Sequence, residues 1–248
     1  MIDLTKFKSN FIPENPSTCK TIQDSFMDEK YSDIIFEVGG DHSHSIVARA
    51  RFPAHRVIVA KCSSVIADLC ASHKDDTTPI QINDVAPNIF RLLLSYIYGG
   101  NVSHGDMMSH VWDIIKAADK FGVINLKLEA EAFLVTAIIF TIGNVKEILI
   151  YAESKNLALL KEAAMDYIME NKADVIKKIS FTDAPGTLMN DMLTAVVRSE
   201  TEKSANPAGN DENDLSFMRV SELRKKAHKR GLDVDGSREM LIASLKGA

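Results

Sequence analysis

Tyr31-Ser32-Asp33-Ile34-Ile35-Phe36-Glu37-Val38-Gly39-Gly40-Asp41, followed downstream by Arg51-Phe52-Pro53-Ala54-His55-Arg56-Val57-Ile58-Val59-Ala60, is the stretch from which the rest of the chain is read. The β-branched and aromatic run Ile34 to Val38 reads as a strand, and the glycine pair with Asp41 as a turn. Ile46, Ala48, Ala50 and Phe52 then alternate with Ser45, Val47, Arg49 and Arg51. That period of two marks a half-exposed second strand, which Pro53 is expected to close.

Working outward, upstream residues 1–19 carry Pro13 and Pro16 without a clear period and read as an irregular arm. Ile22 and Phe26, one turn apart, predict a short helix to Met27. Downstream, Val57 to Val59 start a helix. Ser63 suits the cap of the next, whose buried face is expected at Val65, Ile66, Leu69 and Cys70. Ile80 and Ile82 predict a short strand. Pro87 fits the first turn of a helix burying Ile89, Phe90, Leu93, Leu94 and Ile97 and stopping at Gly99-Gly100. Another helix places Trp112, Ile115, Ala118 and Phe121 in register.

From about 125 to 178 the pattern is helical throughout. Leu126, Leu128, Ala132, Phe133 and Val135 are expected on one buried face, and Val145, Ile148, Leu149 and Ala152 on the next. A third face carries Leu159, Leu160, Ala163, Ala164, Tyr167 and Ile168. Short gaps between them predict antiparallel hairpins. Residues 199–214 hold no large apolar side chain and read as a flexible linker. Beyond it, Phe217, Val220, Leu223, Ala227 and Leu232, then Met240, Leu241 and Leu245, predict two short amphipathic helices around Gly231 to Gly236.

Of 248 residues, 46% are hydrophobic and 25% charged, which is ordinary globular composition and argues against wholesale disorder. The longest nearly unbroken apolar stretch, Ala132 to Phe140, is far short of the ~20 residues a membrane helix needs. Three cysteines without metal-ligand spacing, and no secretion signal at the N-terminus, predict a reducing compartment. The net charge of −5 is uneven: residues 215–248 hold eight Lys or Arg against four Asp or Glu, +4. Residues 1–214 then carry 21 against 30, or −9. An acidic body with a basic end suggests a second task involving a polyanion or an acidic partner.

No phosphate loop, nucleophile elbow or His-Glu-x-x-His motif occurs. His42 and His44 have no third donor near them in sequence, His55 sits at a helix entrance, and Cys62 and Cys70 lie on an apolar helix. No catalytic residue, metal site or cofactor is expected. The sequence predicts a binding protein.

Tyr31 to Phe36, Pro53 to Ala60, Ile82-Asn83-Asp84-Val85-Ala86-Pro87, Ile97-Tyr98-Gly99-Gly100, Ala117-Ala118-Asp119-Lys120-Phe121 and Leu126-Lys127-Leu128 together resemble the BTB/POZ domain over residues 20–135. Asn144 to Leu149 and Ala163 to Ile168, within 136–198, resemble the BACK or 3-box extension of the speckle-type POZ protein group, without that group's MATH domain. The resemblance implies an α+β fold, a small sheet flanked by helices, and a homodimer with Ile22, Phe26, Asp33, Arg56 and Ile58 at its seam. It further implies contact with the cullin scaffold of ubiquitin ligases through His73, Asp75, Asp76, Tyr96 and Tyr98. Ligase-binding relatives carry a hydrophobic-x-Glu motif in that loop, where this chain reads Ala71-Ser72-His73-Lys74-Asp75-Asp76-Thr77-Thr78.

Met218 to Leu223, Lys229-Arg230-Gly231-Leu232 and Asp235-Gly236-Ser237-Arg238, with Leu241 and Leu245, resemble a SAP motif over residues 215–248. The resemblance implies DNA or RNA contact through Arg219, Lys225, Lys226, Lys229, Arg230, Ser237 and Arg238. The expectation is therefore a homodimeric adaptor that recruits ubiquitination substrates to a cullin ligase. Its home would be the nucleus, with the cytoplasm as a second site and no membrane partner. The competing class is a BTB chromatin scaffold or transcription regulator without a ligase.

Overall fold

The computed structural model describes residues 18–39, 49–73, 78–179 and 215–247 except Phe217, together with Gly186, Leu188, Met192 and Val196. The arm before Thr18, His42, His44, Asp75, Asp76 and the 199–214 segment lie outside the described residues. The chain divides into two units, residues 1–103 and 104–248.

In the first unit, α1 (Thr18–Asp24) precedes strand β1 (Ile34–Val38) and β2 (Ala50–Ala54). Helices α2 (Arg56–Cys62) and α3 (Ser64–Ser72), β3 (Ile80–Ile82) and α4 (Pro87–Ile97) follow. Among the described residues the sheet has the order β2-β1-β3. It is mixed: β1 pairs antiparallel with β2 through Phe36 opposite Phe52, and parallel with β3 through Phe36 opposite Ile80.

The strand read from Ile34 to Val38 is the central one, and its alternation buries Ile34, Phe36 and Val38. Their face meets α4, where Phe90 lies 5.4 Å from the rings of both Phe36 and Phe52. Pro53 does not close β2; it pairs opposite Ile35, and the strand continues to Ala54. A proline is tolerated there because β2 is, among the described residues, an edge strand, where one missing N–H need not cost a ladder bond.

Ser63 caps α3, its Oγ accepting from the Ile66 N–H at 2.9 Å. The helix buries Ile66 and Cys70, whereas Val65 turns outward. Pro87 opens α4, and Gly99, at φ +82°, ends it in the left-handed conformation that only glycine adopts without strain.

In the second unit, α5 (His104–Lys120) packs against its successor in sequence, α6 (Ile124–Ala137). A hairpin of α7 (Val145–Ser154) and α8 (Ala158–Glu170) follows, then α9 (Lys172–Lys178). The C-terminal pair is α10 (Val220–Lys229) and α11 (Arg238–Gly247). Helix α8 contacts both α6 and α10.

Trp112, read as part of the buried stripe of α5, is 36% exposed and meets the ring of Tyr151 edge-on at 4.9 Å. The larger departure is on α6. Its buried residues are Leu126, Lys127, Ala130, Glu131 and Leu134, while Ala132 is exposed and Leu128, Phe133 and Val135 are half-buried. Two charged side chains occupy the inner face because partners from elsewhere in this unit satisfy them.

Candidate functional site

In the first unit, the residues expected at a dimer seam gather around α1 and α2. Helix α1 has no buried residue, and Ile22 and Phe26 are half-buried. The chain holds α1 through the Gln23 side-chain amide, which donates to the Gly99 carbonyl, and through Phe26, whose ring centroid lies 5.8 Å from that of Tyr98. Ile58 is half-buried, and its neighbour Val57 is 69% exposed.

Asp33 and Arg56 do meet, as a helix start and its anchor. The Asp33 carboxylate accepts from the Arg56 backbone N–H at 2.7 Å, and Arg56 Nε donates to the Asp33 carbonyl at 3.2 Å. The rest of the guanidinium reaches the carbonyl of Cys70 at 2.8 Å. An acidic side chain at the first N–H of α2 is favourable because that end of a helix carries positive partial charge.

Of the residues assigned to a cullin-facing surface, Tyr98 is a core residue, 1% exposed. Its hydroxyl accepts from the His55 backbone N–H at 2.9 Å and lies 2.8 Å from His55 Nδ1. Burial pushes its phenol up to about 12. An aromatic ring whose one polar atom is satisfied internally packs inward, so Tyr98 presents no surface. Tyr96 is half-buried, and His73 Nε2 lies 2.6 Å from the Thr78 carbonyl.

In the second unit, the C-terminal helix pair is seated on α6 and α8. Val220, Leu223 and Ala227 of α10 and Leu241 and Leu245 of α11 form one cluster with Ala158 of α8, and Leu159 packs against it. A helix pair this small has little core of its own, and α8 completes it.

Charge fixes the seating. Glu131 Oε1 accepts from the backbone N–H groups of Leu159 at 2.8 Å and Leu160 at 3.1 Å, capping α8 from α6. Its other oxygen lies 2.8 Å from Arg224 Nη1 of α10. Lys127 Nζ sits 2.9 Å from Asp235 and 3.0 Å from Asp119. Burial works to lower the Lys127 pKa, but the two carboxylates outweigh it and carry it above the ordinary lysine value.

Glu162 of α8 repeats the device, its carboxylate 3.3 Å from the Val220 N–H at the start of α10. Arg219 lies 3.4 Å from Glu162 and grips Asp166 with both terminal nitrogens. Arg238 donates to the carbonyls of Met218 and Ser216.

Two of the seven residues read as nucleic-acid contacts, Arg219 and Arg238, are thus turned onto their own chain by the acidic face of α8 and by backbone carbonyls. Arg230 donates to the Leu245 carbonyl at 2.8 Å, and Ser237 Oγ accepts from the Met240 N–H at 3.3 Å. Lys225 and Lys229 are exposed, and Lys226 is half-buried. Among the described residues, no group of three or more His, Cys, Asp or Glu is arranged to hold a metal, and no helix is long and apolar enough to cross a membrane.

Residues 22–138 match the family model of the BTB/POZ domain, and residues 214–248 that of the SAP domain. The chain carries a BTB/POZ domain and a SAP domain. Mouse (Mus musculus) TD and POZ domain-containing protein 1 is 30% identical over 132 residues, covering 52% of this chain and 36% of that protein. TD and POZ domain-containing protein 4 of the same species is 29% identical over 134 residues, 53% and 36% respectively. The chain therefore spans little more than a third of the length of these relatives. The BTB (Tramtrack and Bric a brac) domain of human gigaxonin aligns over 52% of this chain and 99% of its own at 20% identity. The TM-score is 0.37.

Both domains are interaction modules, so the chain reads as a protein that holds other molecules. The SAP domain here is α10 and α11, and its partner surface is the face of α6 and α8 bearing Lys127, Glu131, Glu162 and Asp166. Sequence reasoning assigned no role to these four residues, quoting Lys127 and Asp166 only within longer motif stretches. The available signal was weak: Lys127 and Glu131 stand one helical turn apart, in register with Leu126, Ala130 and Leu134.

Proposed function

We propose that the protein is a homodimeric adaptor, joined through its BTB/POZ domain and touching DNA or RNA through its SAP domain. The observation that carries this reading is α1, a helix of seven residues with none buried, beside the exposed Val57 and half-buried Ile58. So short a helix has no stability of its own, and an apolar surface on a second copy would cover it. Ile22, Phe26 and Ile58 form the apolar seam, while Asp33 and Arg56 shape the start of α2 beneath it. Sedimentation equilibrium tests this: the expected mass is twice the 27.4 kDa of the chain. A mass of one chain at every concentration overturns it.

The nucleic-acid contact is led by Lys225, Lys226, Lys229 and Arg230, which the SAP domain carries on α10 and just after it. Duplex affinity measured against salt should fall with a slope set by these few cations, about 0.9 per phosphate neutralised. A flat slope rejects the assignment. This reading places the protein in the nucleus, which a fluorescent fusion checks.

A second reading, recruitment of a cullin ligase and its substrates, is favoured by the α7–α8 hairpin and α9, which directly follow the BTB/POZ match. The resemblance to the BACK or 3-box extension gives these helices a part in widening a cullin contact. Pull-down with a purified cullin N-terminal region decides between ligase adaptor and chromatin scaffold; absence of binding at micromolar concentration leaves the scaffold.

A further inference from the structure

The ion pairs that seat the SAP domain differ in depth. Glu131 and Arg224 have side chains 0% and 13% exposed, and Lys127 is 3% exposed beside Asp235. Glu162, at 5%, is committed to the first N–H of α10. Arg219 and Asp166, by contrast, are 43% and 37% exposed. The inner pairs hold the domain in place, and the outer one is partly open to water.

Its form is informative. Asp166 receives two parallel N–H donors from one guanidinium, the planar fork geometry by which arginine also takes hold of a phosphate. An exposed pair of this kind contributes little to stability and is weakened by salt. A phosphate oxygen can therefore replace the Asp166 carboxylate on the two terminal nitrogens while Arg219 Nε keeps its 3.4 Å contact with the buried Glu162.

We infer that Asp166 is an internal stand-in for phosphate on Arg219, so that a polyanion binds the seated SAP domain by taking Arg219 over from Asp166. Asp166 then sets the affinity: it lowers it by competing for the same donors. The inference rests on the nucleic-acid reading for its natural ligand, but the exchange itself needs only a polyphosphate.

The full-length chain is tested with two probes, a fluorescent duplex DNA followed by anisotropy and inorganic tripolyphosphate followed by NMR of the Arg219 Nε–H. Asp166→Asn is expected to tighten duplex binding about two- to fivefold at low salt and to bring the Arg219 response to lower tripolyphosphate concentration. Asp166→Glu should restore the original affinity. The gain should vanish in an Arg219→Gln background and should not be reproduced by Asp113→Asn, which removes an exposed charge from α5.

If the parent chain fails to bind duplex while the tripolyphosphate response still sharpens in Asp166→Asn, the nucleic-acid reading falls and the exchange stands. If Asp166→Asn changes neither probe, or if Asp113→Asn or the Arg219→Gln background tightens equally, the exchange is overturned.

Discussion

Lys127 of α6 and Asp235 of the SAP domain, 108 residues apart, meet at 2.9 Å with the lysine almost wholly withdrawn from solvent. Asp119 completes the cradle at 3.0 Å and itself lies 3.5 Å from Lys155, just past the end of α7. A buried ammonium between two carboxylates ties the C-terminal helix pair to the helices before it. The SAP domain is therefore part of a packed unit, where its sequence alone reads as a module at the end of a tether.

Removing residues 215–248 should then do more than abolish a binding activity. It strips Asp235 from Lys127 and Arg224 from Glu131 and uncovers Ala158 and Leu159. Thermal unfolding of the truncated chain is expected to occur roughly 5–10 °C below that of the full chain, for a loss of about 3 kcal/mol in a protein of this size. Equal melting temperatures would show the seating to be incidental.

Glu131→Ala should be among the costliest single substitutions. It leaves the Arg224 guanidinium buried without its counter-charge and the first turn of α8 without its cap. Among the described residues Arg224 Nε and Nη2 have no hydrogen-bond partner to compensate. A loss of about 3–5 kcal/mol is expected in urea unfolding. Replacing the pair together, Glu131→Leu with Arg224→Met, should recover much of it.

Alkaline pH should loosen both units. Burial is the leading cause that brings the Tyr98 and Tyr151 phenols up to about 12 from an ordinary value of 10. A raised value means that the folded state favours the neutral phenol. The stability is complete below pH 10 and is lost as pH climbs toward about 12. Lys127, also raised, contributes as a cation in full below 10.5 and loses that contribution above it. Phenolate absorbance should show two of the five tyrosines ionising late or together with unfolding. All five ionising near pH 10 in a folded chain would contradict their burial.

Tyr98→Phe keeps the ring beside Phe26 but leaves the His55 N–H without its acceptor. The expected cost is about 1–3 kcal/mol in chemical unfolding, the range for an orphaned buried donor. A neutral outcome would mean that water reaches His55.

The basic residues of the SAP domain should separate into two groups. Lys229→Ala and Lys225→Ala should each reduce the salt slope of duplex binding by about 0.9 without shifting the melting temperature. Arg238→Ala, which frees the carbonyls of Met218 and Ser216, should lower the melting temperature and change the slope little.

Much of the fold was legible because hydrophobic period and turn chemistry are local properties. Ile34 to Val38 alternates as a half-buried strand must, Ser63 stands where a cap is needed, and Pro87 and Gly99 bracket α4. Local reading and family resemblance failed where the tertiary surroundings outvoted them. Pro53 stayed in β2 because the strand lies at the edge of the described sheet, and Tyr98 turned inward because His55 satisfies its hydroxyl. On α6 the charged Lys127 and Glu131 went inside because Asp235, Arg224 and the start of α8 await them.

The sequence by itself determined the order of the elements and the basic character of the last stretch, since composition and periodicity travel with the chain, and its motifs gave the resemblance to two kinds of domain. Only the tertiary structure decided which of those basic groups face outward. A charge is buried only where an opposite charge or a helix end is brought against it, and the chain that supplies Asp166 to Arg219 runs more than fifty residues away.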